Sequence, residues 1–336
     1  VHRNGGPSSV IGPEDDPGFG TGNRAGYQVP GVTSGNPICE PVYVNGAEPG
    51  DTLQVEVLSL KTGPFGWTGV QPDGERLGAP MRDIIGNDET FENDGDGKDT
   101  SRVFIWDLFP ETGDDCELKL SNGRVVKVKY QPFMGVMGVA PPPGMPLEQG
   151  KPLGVISTGP PNINGGNMDN RHLCVGSTIF YPVAVKGALF SCGDGHAAQG
   201  DGEVAGSAIE TGMHVRMRLT VLKNGEPGNW GASILEPGRM LMATPRYITP
   251  DPATTYKAGP QFGVSGVNDD LLVATREALT DMISWLVTHA GLTPYEALVV
   301  CSAAADFKIA EVSGHSAYEK EITDLLIEAT EKFKDI

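Results

Sequence analysis

The sequence predicts an α+β protein, with a β-rich body of sandwich-like or barrel-like sheets and a helical α/β part at the C-terminal end. The first reason is composition: the 336 residues include 46 glycines and 27 prolines, which is typical of turn-rich β structure. The second is that several segments before residue 268 alternate apolar and polar side chains, the period of a half-buried strand. The third is that apolar side chains after residue 268 recur at helical spacing.

The pattern divides the chain into three predicted units. We predict a β-rich N-terminal domain over residues 1–150, a second β-rich domain that carries a polar loop over 151–265, and a helical C-terminal subdomain over 266–336. The prolines at 141–143 mark the first boundary, and residues 1–37 are predicted to form loops that fold over other parts of the chain.

Strand patterns account for the body of the protein. Thr52–Leu58 alternates strictly and follows a turn at Glu48–Asp51, so it predicts an amphipathic strand that is entered through a tight turn. Residues 214–221 alternate in the same way, and further strand segments are predicted over residues 102–106, 124–130 and 178–185.

Helix signals dominate the last part of the sequence. Asp269–His289 has its apolar side chains on one helical face and is followed by the stop signal Gly291. Thr293, Pro294 and Glu296 form a capping-box pattern with proline at the first helical position. Ser316–Phe333 begins with the same capping-box spacing and predicts another amphipathic helix.

Charge and cysteine content exclude several classes of function. The formal net charge of −18 argues against nucleic acid and anionic membranes as partners, and no apolar run approaches the roughly 20 residues that span a bilayer. The five cysteines are odd in number and form no CxxC pair, which indicates reduced thiols in a cytoplasmic protein. Because the sequence begins with Val1 rather than Met, we expect an initiator, leader or first strand to be missing from it.

The loop Ser191–Gly206 is the most informative stretch. It places several polar groups among glycine and alanine spacers, which let the backbone make tight turns and bring those groups together. Carboxylate oxygen and imidazole nitrogen suit zinc or a related divalent ion, and a lone histidine suits a general base. The metal-binding or acid–base candidates are Asp194, His196, Asp201 and Glu203.

The residues alone leave a plain alternative open. A glycine-rich turn whose aspartates bind backbone N–H groups would show the same composition, and spacing does not decide between the two. A second loop at Gly165–Asn170 contains Asn167 and Asp169, and Asp169 would reach the same site if the two strand ends are adjacent. Cys192 lies inside the first loop, but its apolar neighbours favour packing over a role as nucleophile.

Six blocks that follow one another in order resemble the acetamidase/formamidase family. They run from about residue 37 to 312, and the block Gly193–Glu203 is too long for chance similarity. The matching blocks are 41–51, 135–141, 165–169, 187–191, 193–203 and 301–309. Two regions depart from the family pattern, namely the first 36 residues and the predicted helix after Val312.

The resemblance implies hydrolysis of short linear amides, such as formamide or acetamide, to a carboxylate and ammonia. It also implies a mixed β-sandwich and α/β architecture, a homo-oligomer (a dimer or larger) and a bound divalent metal, for which we expect zinc rather than calcium. On this hypothesis the ion is held by Asp194, His196 and Asp169. The catalytic residues are His196, Glu203 as proton carrier and Gln199 as orienting group, and the substrate-binding residues are Asn167 and Glu48, of which Glu48 is also a possible further ligand.

Three alternatives stay open from the sequence. One is an amidase that uses Cys192 as its nucleophile. Another is a non-catalytic binding or structural protein on the same scaffold, in which a metal only braces the loop. The third is a hydrolase of a larger or cyclic amide.

Overall fold

Strands dominate the part of the chain that the structure describes. The structure is a computed structural model that describes residues 36–70, 102–143, 158–159, 161–224, 235–236, 239–240, 246–249, 261–268, 270–311 and 323–330. Together with two late helices, these strands confirm the predicted α+β class. In chain order the strands are β1 (Thr52–Thr62), β2 (Phe65–Val70), β3 (Arg102–Phe109), β4 (Asp114–Lys119), β5 (Val125–Val128), β6 (Phe133–Gly138), β7 (Pro161–Asn162), β8 (Gly165–Asn167), β9 (Thr178–Pro182), β10 (Ser191–His196), β11 (Met213–Leu222), β12 (Leu235–Glu236), β13 (Arg239–Met240), β14 (Arg246–Thr249), β15 (Gln261–Asn268), β16 (Asp306–Glu311) and β17 (Thr323–Thr330).

The largest sheet has seven strands in the order β11-β1-β9-β14-β15-β17-β16, and its neighbours are all antiparallel. Strand β1 pairs with β11 on one side and β9 on the other, so it is buried within the sheet. The sheet draws strands from all three predicted units, and the division of the chain at residues 150 and 265 stays a prediction.

A second, four-stranded sheet in the order β10-β6-β8-β7 packs its apolar side chains against the large sheet. Leu53 and Val55 of β1 are fully buried there, together with Met134 and Met137 of β6. Removing each such side chain from water stabilises the fold by about 1.5–3 kcal/mol. The apolar positions of the alternating pattern in β1 therefore face the core between the two sheets.

Two helices lie in the described part after residue 270, α1 (Leu271–Ala290) and α2 (Pro294–Ala304). Helix α1 begins at the N-cap Asp270 and ends at Gly291, which has a φ of 69°. The predicted capping box of α2 is confirmed, because the Thr293 and Glu296 side chains each accept from the other's backbone N–H. Helix α1 packs on strands β15 and β17, and α2 packs against α1 and β17. Neither combines the length and hydrophobicity needed to cross a lipid bilayer.

The predicted helix Ser316–Phe333 is wrong over the residues that the structure describes. Thr323–Thr330 is a strand, β17, which pairs along its backbone with β15 on one side and β16 on the other. A capping-box spacing and helix-forming residues are weak local preferences, and hydrogen bonds to two neighbouring strands outweigh them. Residues 316–322 lie outside the described part, as do most of the loops predicted over 1–37.

The fold brings three short pieces of chain to one place. Strands β10, β6 and β8 are neighbours, so the end of β10 lies beside the residues that follow β8. The loop after β10 returns to the same place, because Glu210 forms isolated bridges with both His196 and Trp67. A third sheet, in the order β2-β3-β4-β5, closes over this loop through a small core of Trp106, Leu108 and Ile209.

Candidate functional site

A histidine surrounded by four carboxyl groups forms the centre of the site. His196 is completely buried, and Asp169, Asp194, Glu203 and Glu210 are each no more than 6% exposed. The His196 Nε2 atom lies 3.1 Å from Glu210 Oε2 and 3.5 Å from Asp194 Oδ2, whereas Nδ1 lies 3.6 Å from Asp169 Oδ1. The two polar loops predicted to meet therefore do meet, because β6 lies between β10 and β8 and hydrogen-bonds to both.

Strand β6 contacts the site through its backbone and through the ring of Phe133. The Phe133 ring meets the His196 ring edge-on, with a centroid separation of 5.0 Å, and limits its rotation. The carbonyl oxygen of Gly135 accepts the backbone N–H groups of Met168 and Asp169, which fixes the start of the second polar loop. A Cβ atom on Gly135 would overlap Asp169 Oδ1 and lie 2.6 Å from Asp194 Oδ2, so only glycine leaves room for both carboxylates.

Three of the four acidic residues have left-handed backbone conformations. The φ angles are 42° for Asp169, 58° for Asp194 and 42° for Glu203. A non-glycine residue in this region costs free energy of order 1–3 kcal/mol and persists only where the surrounding structure enforces it. Three members of one buried cluster have this conformation. We conclude that the positions of their side chains, rather than local backbone preference, determine the shape of these loops.

Gln199 fixes the proton on the imidazole ring. Its Nε2 amide group donates to the backbone carbonyl oxygens of Asp169, at 2.7 Å, and Ala310, at 3.4 Å. Its Oε1 atom must therefore accept, and it lies 3.0 Å from His196 Nδ1, which is the N–H donor. In the neutral ring the lone pair then belongs to Nε2, the nitrogen that faces Asp194 and Glu210.

The donor set fits a divalent cation. Two groups of three residues each bring their ligand atoms within 4.8 Å of one another. The groups are Asp169–His196–Glu203 and Asp194–His196–Glu210. Among the described residues, His196 Nε2 and both Asp169 carboxylate oxygens have no hydrogen-bond partner, although Nε2 is 3.1 Å from a carboxylate oxygen. Four buried carboxyl groups around one imidazole repel one another unless protons or a cation intervene, and nitrogen and oxygen ligands of this kind suit zinc.

Burial and the neighbouring charges raise the pKa of the His196 ring and of three of the surrounding carboxyl groups, which lowers the net negative charge of the cluster. Burial raises the pKa of Asp169 to about 8, and it also raises the pKa of Glu210. The pKa of Glu203 is raised well above its usual value, first by burial and then by the neighbouring Asp169. Burial lowers the pKa of His196, but the charges of Glu210 and Asp194 outweigh this effect and raise it well above the usual value.

Two asparagines supply hydrogen-bond donors at the edge of the cluster. Asn36 Nδ2 lies 2.9 Å from both Asn167 Oδ1 and Asp194 Oδ2. This fixes the orientation of Asn167, because its Oδ1 atom must accept from Asn36. The Asn167 Nδ2 group is then buried with no acceptor among the residues that the structure describes, which leaves it as a donor for a bound molecule.

The structure brings together most of the residues singled out from the sequence. Asp169, Asp194, His196, Gln199, Glu203 and Asn167 belong to one connected cluster. Asp201 does not join it; it lies 3.5 Å from Arg171 and 3.4 Å from His172 and is partly exposed. Glu48 is exposed in the turn before β1 and pairs with Lys186 at 3.0 Å, with no described contact to the cluster.

Two members of the site escaped the sequence-based prediction. Glu210 ends the apolar stretch that follows the polar loop, and a lone carboxylate between Ile209 and Thr211, just before a strand, is the signal that was available. Asn36 lies in the glycine-rich and proline-rich N-terminal stretch, where no local pattern distinguishes it. Its place in the site depends on contacts with Asn167 and Asp194, more than 130 residues away.

A buried imidazole that shares a cluster with four carboxyl groups has ligand types that suit a divalent cation and titratable groups of the kind that transfer protons. Comparison with known proteins gives the same result as the sequence motifs. Residues 154–315 match the Acetamidase/Formamidase family, which confirms the resemblance predicted from the sequence. The matched range includes every member of the cluster except Asn36.

Individual relatives agree with this match. The chain is 32% identical over 253 residues to the acetamidase of Mycolicibacterium smegmatis, a match that covers 62% of this chain and 59% of that protein. It is 25% identical over 296 residues to the formamidase of Methylophilus methylotrophus, a match that covers 73% of this chain and 65% of that protein. The solved structure of the acetamidase of Bacillus halodurans superimposes with a TM-score of 0.63 at 25% identity. This match covers 88% of this chain and 78% of that chain. The chain thus spans less than two thirds of the two curated relatives.

Proposed function

We propose that this protein is an amidohydrolase that converts short linear amides into a carboxylate and ammonia. The observation that carries the proposal is the buried cluster of His196 and four carboxyl groups, which combines a cation site with groups able to hold protons. The relatives support the substrate class, because they are named acetamidase and formamidase. Amide hydrolysis needs both functions, since the carbonyl group must be polarised and the leaving nitrogen must receive a proton.

The hydrogen bonds of Gln199 suggest which group holds the ion. Because His196 Nδ1 donates to Gln199, the nitrogen with a free lone pair is Nε2, and it faces Asp194 and Glu210. We therefore assign the ion to Asp194, His196 and Glu210. A bound divalent ion supplies Lewis acidity, which polarises a carbonyl group and favours the ionisation of water. Asp169, expected from the sequence to be a ligand, lies on the Nδ1 side of the ring with Glu203.

Asp169 and Glu203 are then the groups that hold a proton. The two carboxyl groups are buried in one cluster, and like charges at such close range disfavour ionisation of both. One carboxyl oxygen of the pair therefore keeps a proton near neutral pH, and we assign Glu203 to deliver it to the nitrogen of the leaving ammonia. The role of Glu203 agrees with the expectation from the sequence.

The substrate amide is oriented by the asparagine pair. Asn167 Nδ2 is buried and lacks an acceptor among the described residues, and we therefore assign it to donate to the carbonyl oxygen of the substrate. Asn36 holds Asn167 in this orientation. Gln199 was expected to orient the amide, but both of its polar atoms are engaged with the protein, so we assign it to orient His196. Nothing in its described contacts supports a substrate role for Glu48.

The thiol alternative has less support than the cation site. Cys192 packs partly against the main sandwich core, and hydrogen bonding to Cys39, burial and the charge of Cys39 all raise its pKa. A raised pKa disfavours the thiolate that a nucleophile needs. Among the described residues, Cys192 makes no hydrogen bond to a histidine, the usual base that activates a cysteine nucleophile.

The proposed function predicts ammonia release that depends on a divalent ion. Formamide, acetamide, a larger linear amide and a cyclic amide are each incubated with metal-free, zinc-loaded and calcium-loaded protein, and ammonia is measured. We expect turnover of the short linear amides by loaded protein only, with Cys192→Ala as active as the parent. Ion binding without turnover of any amide would favour the bracing scaffold, turnover of the cyclic amide alone would change the substrate class, and loss of turnover in Cys192→Ala would favour thiol chemistry.

The assignment of roles makes a second prediction, on a matched pair of isosteric substitutions. Glu210→Gln removes a proposed ligand and is expected to weaken zinc binding by about 100-fold or more in calorimetric titration. Glu203→Gln removes the proposed proton donor and is expected to leave zinc affinity within a few-fold while kcat falls about 10²–10⁴-fold. If Glu203→Gln weakens zinc binding and Glu210→Gln does not, the ion belongs to the group that contains Asp169.

The finer expectations from the sequence are part of the same proposal. The combination of one imidazole nitrogen with carboxylate oxygens favours zinc over calcium, which prefers oxygen ligands alone. The charge of −18 supports a neutral small molecule rather than nucleic acid as partner. We also propose a homo-oligomer in the cytoplasm, as the resemblance to the family and the five free thiols suggest.

A further inference from the structure

Cys39 and Cys192 face each other across two paired segments beside the site. Ile38 and Gly193 form an antiparallel bridge, so the next residue of one segment lies opposite the preceding residue of the other. The Cys39 backbone N–H donates to the Cys192 carbonyl oxygen at 2.9 Å, and the Cys192 backbone N–H lies 3.4 Å from Cys39 Sγ. Both thiols are free and partly accessible.

Residues that face each other in this way are close enough for a disulfide. Directly opposite residues of an antiparallel pair project to the same side, and a hydrogen-bonded pair has its Cα atoms about 5.5 Å apart. Disulfides usually join Cα atoms that are about 4.4–6.8 Å apart. The Cys192 backbone N–H also lies within hydrogen-bond distance of Cys39 Sγ, so the Cys39 thiol already faces the opposite segment and a bond between the two sulfur atoms needs little movement of the backbone.

We infer that Cys39 and Cys192 form a dithiol site that reacts with low-molecular-weight disulfides and closes reversibly to an intramolecular disulfide. The Cys39 thiolate attacks one sulfur of the small disulfide, a mixed disulfide forms at Cys39, and one small thiol leaves. Cys192 then loses its proton and attacks Cys39 Sγ, which releases the second small thiol. The two protein thiols are oxidised, the small disulfide is reduced to two thiols, and atoms and electrons balance.

The electrostatics of the pair agree with this order of events. The hydrogen bond from the Cys192 thiol lowers the pKa of Cys39 to about 6, against the opposing effect of burial, so Cys39 is the thiolate near neutral pH.

The disulfide would connect two segments that supply the site. Cys39 lies three residues after Asn36, and Cys192 lies two residues before Asp194. Because Asn36 donates to both Asp194 and Asn167, a covalent link between the segments holds this contact in place. The link joins positions 153 residues apart, so it restricts the unfolded chain strongly and raises thermal stability. This consequence does not depend on the proposed amidase activity.

The test measures thiols and mass after treatment of the full chain with oxidised glutathione. We expect the parent protein to lose two titratable thiols and two hydrogens in mass, with Cys39 and Cys192 recovered as one cross-linked peptide. Cys192→Ser, which lacks the second thiol, is expected to retain one glutathionyl group at Cys39. Cys174→Ser is the matched control, because Cys174 is also partly buried but burial raises its pKa, and it should behave like the parent.

Thermal unfolding supplies an independent measurement. Oxidation should raise the Tm of the parent and of Cys174→Ser by several degrees, reversed by dithiothreitol, and should not raise the Tm of Cys39→Ser. The inference is overturned if the parent keeps five titratable thiols, if the cross-link joins other cysteines, or if Cys39→Ser loses two hydrogens as readily as the parent.

Discussion

Replacement of His196 by alanine is expected to abolish ammonia release, with a loss of at least about 10³-fold in kcat/KM, and to abolish zinc binding. The reason is the position of the ring. Both groups of candidate ligands contain His196, so whichever group holds the ion loses its nitrogen ligand. No neighbour can replace this ligand, because the other members of both groups are carboxylates with oxygen ligands only.

Two further variants separate loss of the ligand from loss of the fold. His214→Ala removes an exposed histidine on strand β11 and is expected to keep both activity and zinc affinity. His196→Asn keeps a polar side chain in the cavity and is expected to retain the parent's far-ultraviolet circular dichroism while still failing to bind zinc. Turnover by a folded His196→Ala or His196→Asn protein would remove His196 from the proposed mechanism.

The elements that could be predicted from sequence are those whose signals are local. The alternation of Thr52–Leu58 predicted a strand because one of its faces is buried, and the structure confirms it as part of β1. The capping residues Thr293 and Glu296 predicted the start of α2 because their hydrogen bonds involve only residues within one helical turn. Gly291 likewise ends α1 through its own backbone conformation.

The strand β17 could not be predicted in this way. Its residues were assigned to a helix because the capping-box pattern at Ser316 and Glu319 and the amphipathic spacing both favour one. What makes Thr323–Thr330 a strand is the pair of edges that β15 and β16 offer on its two sides. Neither edge is visible in the local sequence, and the backbone hydrogen bonds of a central strand exceed a helix preference of a few tenths of a kcal/mol per residue.

In the candidate site, too, the residues with a local sequence signal were predicted and those that depend on distant contacts were not. The loop Gly193–Glu203 was recognisable because its polar residues stand among glycines, and the order of the family-like blocks supported it. The role of Gln199 could not be recognised from the sequence. Its partners are the backbone carbonyl groups of Asp169, which follows β8, and of Ala310, which lies in β16. Glu210 was missed for a similar reason: its carboxylate matters only because the chain folds back onto His196.

Replacement of Gly135 by alanine is expected to disrupt the site without removing any polar group from it. The added methyl carbon would overlap Asp169 Oδ1, lie 2.6 Å from Asp194 Oδ2 and lie 3.0 Å from His196 Cε1. The residues that must move hold the proposed ion and the proposed proton, and a displacement of about 1 Å costs on the order of 10²-fold in catalysis. We expect zinc affinity and kcat/KM each to fall by about 10²-fold or more.

Two other glycines make this result specific to the site. Gly200→Ala lies in the polar loop, where an added Cβ has no atom within 4 Å, and it should match the parent in activity and zinc affinity. Gly138→Ala lies on the same strand as Gly135, but its Cβ would meet the backbone of Asn164 at 2.8 Å, so it should lower Tm through strand packing. If Gly135 matters through the carboxylates, only Gly135→Ala shows weakened zinc binding at temperatures where all three variants are folded. Equal zinc affinity in Gly135→Ala and the parent would show that the two aspartates tolerate the methyl group, and the cluster would not be the compact cation site proposed for it.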